Sequence, residues 1–447
     1  MRTCVFIMSK SKKNKGVVPV KQTITYDFSS LLTYCSPEEI EKFKEGLNQP
    51  SVSSLILNTS KFTSSQLEDT FSDLKKDDTD HLLYRFSKEE DRMGKTLEHF
   101  AGAFYILDPS SGVISSYLEK LLPKDFVSLD LCAAPGGKTI AMDLRRKDGL
   151  YLANDIAFDR AIEISKNAQR LALSNILTLS IDPVKLSLPE MFDLVILDAP
   201  CSGSGMIRKE PKMAKDYSEE KVTRLLPIQE NLLEKAYECT KKDGIIAYST
   251  CSLSIKEDEE QVMSFMKRHP DVEMIPLSPK EGMVIGKENI GYHMIPGIYD
   301  GEGIYFVLLR KTKGDVYQLN QSKDVKKYND ELMSLSFKGN TYLLSRFYQE
   351  FSKLPFIAPG MKVYDKSEHP KCEYDHAYSK VSDDIQLVEI DRQAALSYVQ
   401  GNEVKVDASI KDGLVILAYQ KMRLGLGKNV KGKVKNYLPK GLRSNLY

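Results

Sequence analysis

Short apolar runs ending in small or acidic residues recur through the middle of the chain. Val127 to Leu131, Tyr151 to Asn154, Ile176 to Ser180, Asp193 to Asp198 and Gly244 to Ala247 each read as a buried strand. Between them the apolar positions take helical spacing. Ile162, Ile164, Ala168 and Leu171 mark one helix face, and Leu225, Ile228, Leu232 and Ala236 mark another, kinked or started by Pro227. Ser254-Ile255-Lys256-Glu257 has capping-box spacing ahead of a helix that turns Val262, Phe265 and Met266 inward. Apolar strands alternating with amphipathic helices predict an α/β fold around a parallel sheet, and Gly303 to Leu309 adds a further strand.

The flanks are patterned differently. In residues 1–21 a run from Cys4 to Met8, too short for a signal-peptide core, is followed by Lys10, Lys12, Lys13 and Lys15, and the segment reads as a disordered basic tail. Residues 22–95 read as a small accessory domain. It has a helix opened by Ser36-Pro37-Glu38-Glu39, a strand from Val52 to Leu57 and a polar loop at Asp77 to Asp80. The main domain spans 96–312, with Ser110 or Ser111 capping a helix through Val113, Ile114, Tyr117 and Leu121. Residues 313–355 alternate charge with Tyr and Leu and read as a linker with a small helical portion. Residues 356–447 read as a β-rich domain with strands at Ile385 to Ile390 and Gly413 to Ala418.

A chain of 447 residues is too long for one core, and 42% hydrophobic with 28% charged residues fits a globular protein. The net charge of +1 hides an asymmetry: no acid follows Asp412, whereas Lys421, Arg423, Lys428, Lys431, Lys433, Lys435, Lys440 and Arg443 do. That basic end suits phosphate contacts. The seven cysteines are scattered without a Cys-x-x-Cys pair. This argues against a disulfide framework and a zinc site, so no metal is expected, and it points to a reducing, cytoplasmic setting. No run approaches a membrane span, so no membrane partner is expected.

Chemistry gathers at the strand ends, where ligands bind in open α/β sheets. Cys132 to Thr139 follows the first strand with Gly136 and Gly137 opening a helix, a turn suited to a nucleotide-like ligand. Position 132 is Cys, not the Gly that an NTP-binding loop needs, and the Gly-x-Gly-x-x-Gly of a nicotinamide dehydrogenase is lacking. Asp155 lies 18 residues beyond Gly137, where a ribose hydroxyl pair is held, and Asp182 ends a third strand as a candidate for an adenine amine. Two more loops carry cysteines: Asp198-Ala199-Pro200-Cys201-Ser202-Gly203 and Tyr248-Ser249-Thr250-Cys251-Ser252. A free cysteine ordinarily packs as a small hydrophobe. These two sit instead in Gly/Ser/Pro-rich loops past strand ends, one of them just after a carboxylate. His99 reads as a hydrogen-bonded buried histidine.

In this order, Asp130-x-Cys-Ala-Ala-Pro-Gly-Gly-Lys-Thr, Asp198-Ala-Pro-Cys-Ser-Gly and Tyr248-Ser-Thr-Cys resemble the Nol/Nop/Sun family of RNA cytosine-5 methyltransferases. Glu98-His99-x-x-Gly102, Ile207 to Pro211 and Pro296 to Gly303 are similar to its RsmF branch, which modifies small-subunit ribosomal RNA; Ile56 and Leu107 depart from that pattern. The resemblance implies a Rossmann-like class I methyltransferase sheet with an N-terminal accessory domain and a C-terminal PUA-like RNA-binding domain. It implies S-adenosylmethionine as cofactor, wrapped by Cys132, Ala133, Ala134, Pro135, Gly136, Gly137 and Lys138, with Asp155 on the ribose, Asp182 on the adenine and Asp198 reaching toward methyl donor and cytosine. It assigns attack on the base to Cys251 and product release to Cys201; the residues themselves leave that order open. RNA contacts are expected from Arg208, Lys209, Lys428, Lys431, Lys433, Lys435, Lys440 and Arg443.

The expected enzyme is therefore a monomeric, S-adenosylmethionine-dependent RNA cytosine-5 methyltransferase acting through a cysteine thiolate, most naturally on 16S ribosomal RNA. Transfer RNA is the alternative substrate. An inactive RNA-binding assembly factor is the alternative of another class, against which both cysteines and all the strand-end acids stand.

Overall fold

The computed structural model describes residues 28–87, 92–362, 383 and 385–446; the tail at 1–21 lies outside them. Helix α1 (Pro37–Gly46) starts at a complete capping box, Ser36 and Glu39 each satisfying the other's backbone N–H, with Pro37 in the first turn. Strands β1 (Val52–Leu57), β2 (Lys75–Asp77), β3 (Asp80–Ser87) and β4 (Phe104–Leu107) form an antiparallel sheet in the order β2-β3-β1-β4. Helices α2 (Ser64–Thr70) and α3 (Leu97–Ala101) flank it. β4 carries this sheet past the boundary expected at residue 95. Helix α4 (Pro109–Leu121) is capped by Asp108, which accepts from Ser110 N at 3.0 Å, not by Ser110 or Ser111. The Ser110 hydroxyl instead donates to Glu302 O at 3.0 Å.

The central sheet holds five parallel strands: β5 (Val127–Asp130), β6 (Leu150–Asn154), β7 (Ile176–Leu179), β8 (Phe192–Asp198) and β9 (Thr240–Thr250), ordered β9-β8-β5-β6-β7. Helices α5 (Gly137–Arg145), α6 (Phe158–Leu171), α7 (Lys212–Asp216), α8 (Glu219–Cys239, with Pro227 inside it) and α9 (Glu259–Arg268) connect them or follow β9. β10 (Val272–Met274), β11 (Met283–Ile285), β12 (Tyr292–Met294) and β13 (Ile304–Lys311) extend the β9 side, with β13 antiparallel to β9. Alternate residues of β8 feed the two faces: Leu194 and Ile196 join one apolar cluster, Val195 and Leu197 the other. Both faces are thus buried, which is why the strand reads as one apolar run.

Residues 313–355, expected as a linker with a helical portion, instead pair as strands. β14 (Val325–Lys327), β15 (Met333–Phe337) and β16 (Asn340–Leu344) build a small sheet, β17 (Phe356–Pro359) returns to pair antiparallel with β7, and β18 (Met361–Lys362) completes the small sheet beside β16. The expected boundary at 356 therefore falls on a strand of the central sheet. Beyond it, β19 (Gln386–Glu389), helix α10 (Arg392–Val399), β20 (Val404–Lys405), β21 (Gly413–Tyr419), β22 (Met422–Val430) and β23 (Lys433–Asn436) make a five-stranded sheet in the order β19-β21-β22-β23-β20. Its Tyr398, Leu417 and Leu424 pack in one cluster with Leu57, Tyr84 and Phe104 of the N-terminal sheet.

Candidate active site

β8 and β9 run parallel with Asp198 opposite Ser249, so their loops leave the same edge of the sheet side by side. The outcome is direct contact: Cys201 Sγ lies 2.8 Å from Cys251 Sγ, and Cys251 N–H donates to Cys201 Sγ at 3.2 Å. The Cys201 thiol is pushed up, first by its hydrogen bond with Cys251 and then by burial. Asp198 joins this pair to the glycine turn. Its Oδ1 accepts from the Ser249 hydroxyl at 2.8 Å, and its Oδ2 pairs at 2.7 Å with Lys138 Nζ, which is nearly enclosed.

A residue outside the expected set locks the two cysteine loops together. Glu257 is fully buried and accepts from Ser202 N (2.8 Å), the Ser202 hydroxyl (2.5 Å), the Ser252 hydroxyl (2.6 Å) and Gln229 Nε2 (3.0 Å). Ser202 follows Cys201 and Ser252 follows Cys251, so one carboxylate fixes both. The capping box expected at Ser254 does not form: α9 begins later, at Glu259, and the Glu257 side chain turns to the cysteine loops. Four donors converging on two oxygens hold it there.

The turn after β5 supplies the cofactor features. Gly136 has φ +108, and a Cβ there would meet Ile140 Cδ1 at 2.9 Å, so glycine is required. The first N–H groups of α5 follow it. Asp130 is buried, accepts from the Thr139 hydroxyl at 2.6 Å and is pushed up to about 7, chiefly by burial. Its Oδ1 has no hydrogen-bond partner among the described residues. Asp155, also buried, follows β6; its Oδ1 accepts from Ala157 N at 2.9 Å and its Oδ2 lies 3.3 Å from Arg160. Asp182 is half-buried and accepts from Val184 N at 3.2 Å. Buried acids and a helix start on one sheet edge fit a ligand carrying both positive charge and ribose hydroxyls. Burial pushes the Cys132 thiol up, which suits packing and not attack.

The expected RNA contacts divide. Arg208 is enclosed, its Nε 3.2 Å from Glu302 Oε1 and its Nη2 donating to Gly301 O at 2.6 Å. It braces the loop before β13 and does not face solvent, a correction to its expected role. Lys209 is exposed, as are Lys428, Lys431, Lys433, Lys435, Lys440 and Arg443. In β22 and β23 the register sets Lys428 opposite Lys435, with Lys433 on the same face. No helix among the described residues is long and apolar enough to cross a membrane.

A family model described as 16S rRNA methyltransferase RsmB/F matches residues 119–310, and one described as the methyltransferase RsmF PUA domain matches residues 386–444. The chain is 31% identical over 386 residues to the ribosomal RNA small subunit methyltransferase F of Vibrio vulnificus (strain YJ016), covering 78% of this chain and 81% of that one. The chain belongs to the RsmB/F family. The methyltransferase F of Escherichia coli O7:K1 (strain IAI39 / ExPEC) is similar at 28% identity, covering 78% of this chain and 80% of that one. A solved methyltransferase homolog protein from Pyrococcus horikoshii superposes with a TM-score of 0.55 and 26% identity over 64% of this chain and 96% of that chain. As an RsmB/F methyltransferase the protein takes its methyl group from S-adenosylmethionine, and its C-terminal sheet is the PUA domain. The motifs at the strand ends of this RsmB/F chain were readable. Glu257 was not, because its spacing from Ser254 mimics a helix cap.

Proposed function

We propose that this enzyme methylates carbon five of cytosine in small-subunit (16S) ribosomal RNA, with Cys251 as nucleophile and Cys201 in product release. The observation carrying the reading is the contact of the two sulfurs beside Asp198, itself tied to Lys138 of the glycine turn. The names of the relatives, which act on ribosomal RNA of the small subunit, supply the substrate. The enzyme is taken to act as a monomer, and the family supports a cytoplasmic setting.

S-adenosylmethionine, when bound, supplies an electrophilic methyl group on a sulfonium. The residues suited to hold it are Cys132 to Lys138, Asp155 and Asp182, with Asp130 added by its buried, unpartnered oxygen. Carbon five of cytosine is too weak a nucleophile unaided. Addition of the Cys251 thiolate to carbon six makes the ring enamine-like and carbon five reactive. Asp198 stands where it can hydrogen-bond the polarised ring. After transfer, a base takes the proton from carbon five, the carbon–sulfur bond breaks and the Cys251 thiolate leaves. Cys201, its sulfur 2.8 Å from that of Cys251, is placed to assist that release. The base must be unstacked to reach the sulfurs, so single-stranded or flipped RNA is the substrate form.

Incubation with ribosomal RNA substituted with 5-azacytidine is expected to trap a covalent adduct that Cys251→Ala abolishes. Trapping that survives Cys251→Ala and fails in Cys201→Ala reverses the two roles. Bisulfite mapping of ribosomal and transfer RNA from a deletion strain tests the substrate. Loss of a 5-methylcytosine from transfer RNA alone overturns the ribosomal reading, and loss from neither favours an assembly factor.

A further inference from the structure

We propose that Asp258, Glu259 and His293 bind one divalent transition-metal ion, Zn²⁺ or Mn²⁺, behind the loop that carries Cys251. All three side chains are fully buried. One ligand atom from each lies within 4.8 Å of the others. Two ligands of a tetrahedral zinc ion are about 3.4 Å apart, so an inward shift of the side chains closes this set around a single ion.

The second observation is independent of that spacing. Asp258 Oδ2, Glu259 Oε2 and the Tyr34 hydroxyl are buried and have no hydrogen-bond partner among the described residues, and His293 would offer the ion Nε2, the ring nitrogen that faces Glu259. The remaining atoms of the acids are engaged: Asp258 Oδ1 takes the Thr250 hydroxyl, and Glu259 Oε1 takes Lys287 N and His293 Nε2, each at 2.8 Å. The Tyr34 ring stacks on His293 with centroids 4.0 Å apart. Among the described residues neither acid forms an ion pair with Lys or Arg; His293 is the sole basic partner, of Glu259. Two adjacent carboxylates are thus enclosed with half their acceptor capacity unmet, which folded proteins avoid.

A water molecule would satisfy the hydrogen bonds and leave the charge. A proton shared between the two acids would meet one oxygen of each and leave one buried negative charge. A cation meets both the acceptors and the charge, and imidazole nitrogen with carboxylate oxygens selects a borderline ion. The set contains no thiol, so the scattered cysteines that spoke against a zinc site do not bear on it. In sequence the acids look like ordinary first-turn residues of α9. Through Thr250, the residue before Cys251, the ion would brace the nucleophile loop from the side away from substrate.

The full-length protein, purified without chelator or metal-affinity resin, is expected to hold about one Zn²⁺ or Mn²⁺ per chain by elemental analysis. A strong chelator is expected to lower Tm, and one of the two ions, added back alone, to restore it. His293→Gln and Asp258→Asn are expected to lose the ion, while Cys201→Ser/Cys251→Ser keeps it. Ion content under a tenth of the protein, with no Tm change on adding either ion, overturns the proposal. So does loss of the ion in the double cysteine variant with retention in His293→Gln. Should the His293 and Asp258 variants fail to fold, chelation and restoration of the wild-type protein decide alone.

Discussion

Glu257 offers only acceptors, and every group that meets its side chain is a donor. Glu257→Gln would turn an amide N–H₂ toward one of those donors, so it is not a mild change. It is expected to lower kcat about tenfold, whereas Glu257→Ala, which frees both cysteine loops, is expected to lower kcat about 100-fold and stability by about 3 kcal/mol. Multiple-turnover methyl transfer to ribosomal RNA and denaturant unfolding measure the two effects; unchanged kcat in Glu257→Ala removes the clamp from catalysis. At this scale the chemistry-bearing cysteines and strand-end acids were legible, because loops past strand ends have few reasons to hold them. Glu257 and Arg208 were not, because partners such as Ser202 and Glu302 lie tens of residues away and only folding brings them close.

Helix α3 carries a pH-sensitive group. Burial pushes His99 down to about 3, with the Arg170 charge adding to the effect. An unfolded histidine titrates near 6.5, so the stability from keeping His99 neutral is fully present above that pH and is lost as pH falls toward 3. Wild-type Tm is therefore expected to fall more steeply than that of His99→Gln between pH 7 and 4; parallel curves would discard the effect. Strands β22 and β23 carry a different one. Exposed Lys428 and Lys435 face each other, an arrangement that costs stability unless an anion lies over it. Changing Lys428, Lys433 and Lys435 together to Ala is expected to weaken RNA binding and flatten log K against log salt by about 0.7–0.9 per lost phosphate contact. Filter binding from low to high salt tests it. Strand β1 and helix α1 were legible from local pattern alone. Strands β14 to β16 were missed because charged and apolar residues alternate there without marked turn signals.

At the scale of the whole molecule, the N-terminal sheet and the PUA domain share one apolar cluster although they lie at opposite ends of the chain. Deleting residues 386–447 is expected to uncover Leu57, Tyr84 and Phe104, at about 1.5–3 kcal/mol for each side chain that becomes fully exposed. A lower Tm and self-association on size exclusion are the expected readouts, and a monomer of unchanged Tm would show the two parts to be independent. The layered α/β architecture was readable from alternating strands and helices. The domain edges were not, since β4 and β17 pair with strands that no local pattern indicates. The placement of β17 against β7 also imposes an order in time. On the ribosome, β7 emerges long before Phe356–Pro359 has been made, so its outer edge waits bare while the small sheet is translated. A message truncated anywhere in that interval yields a product with an open, adhesive rim, and a nascent-chain chaperone or protease has a physical mark by which to tell it from the finished enzyme.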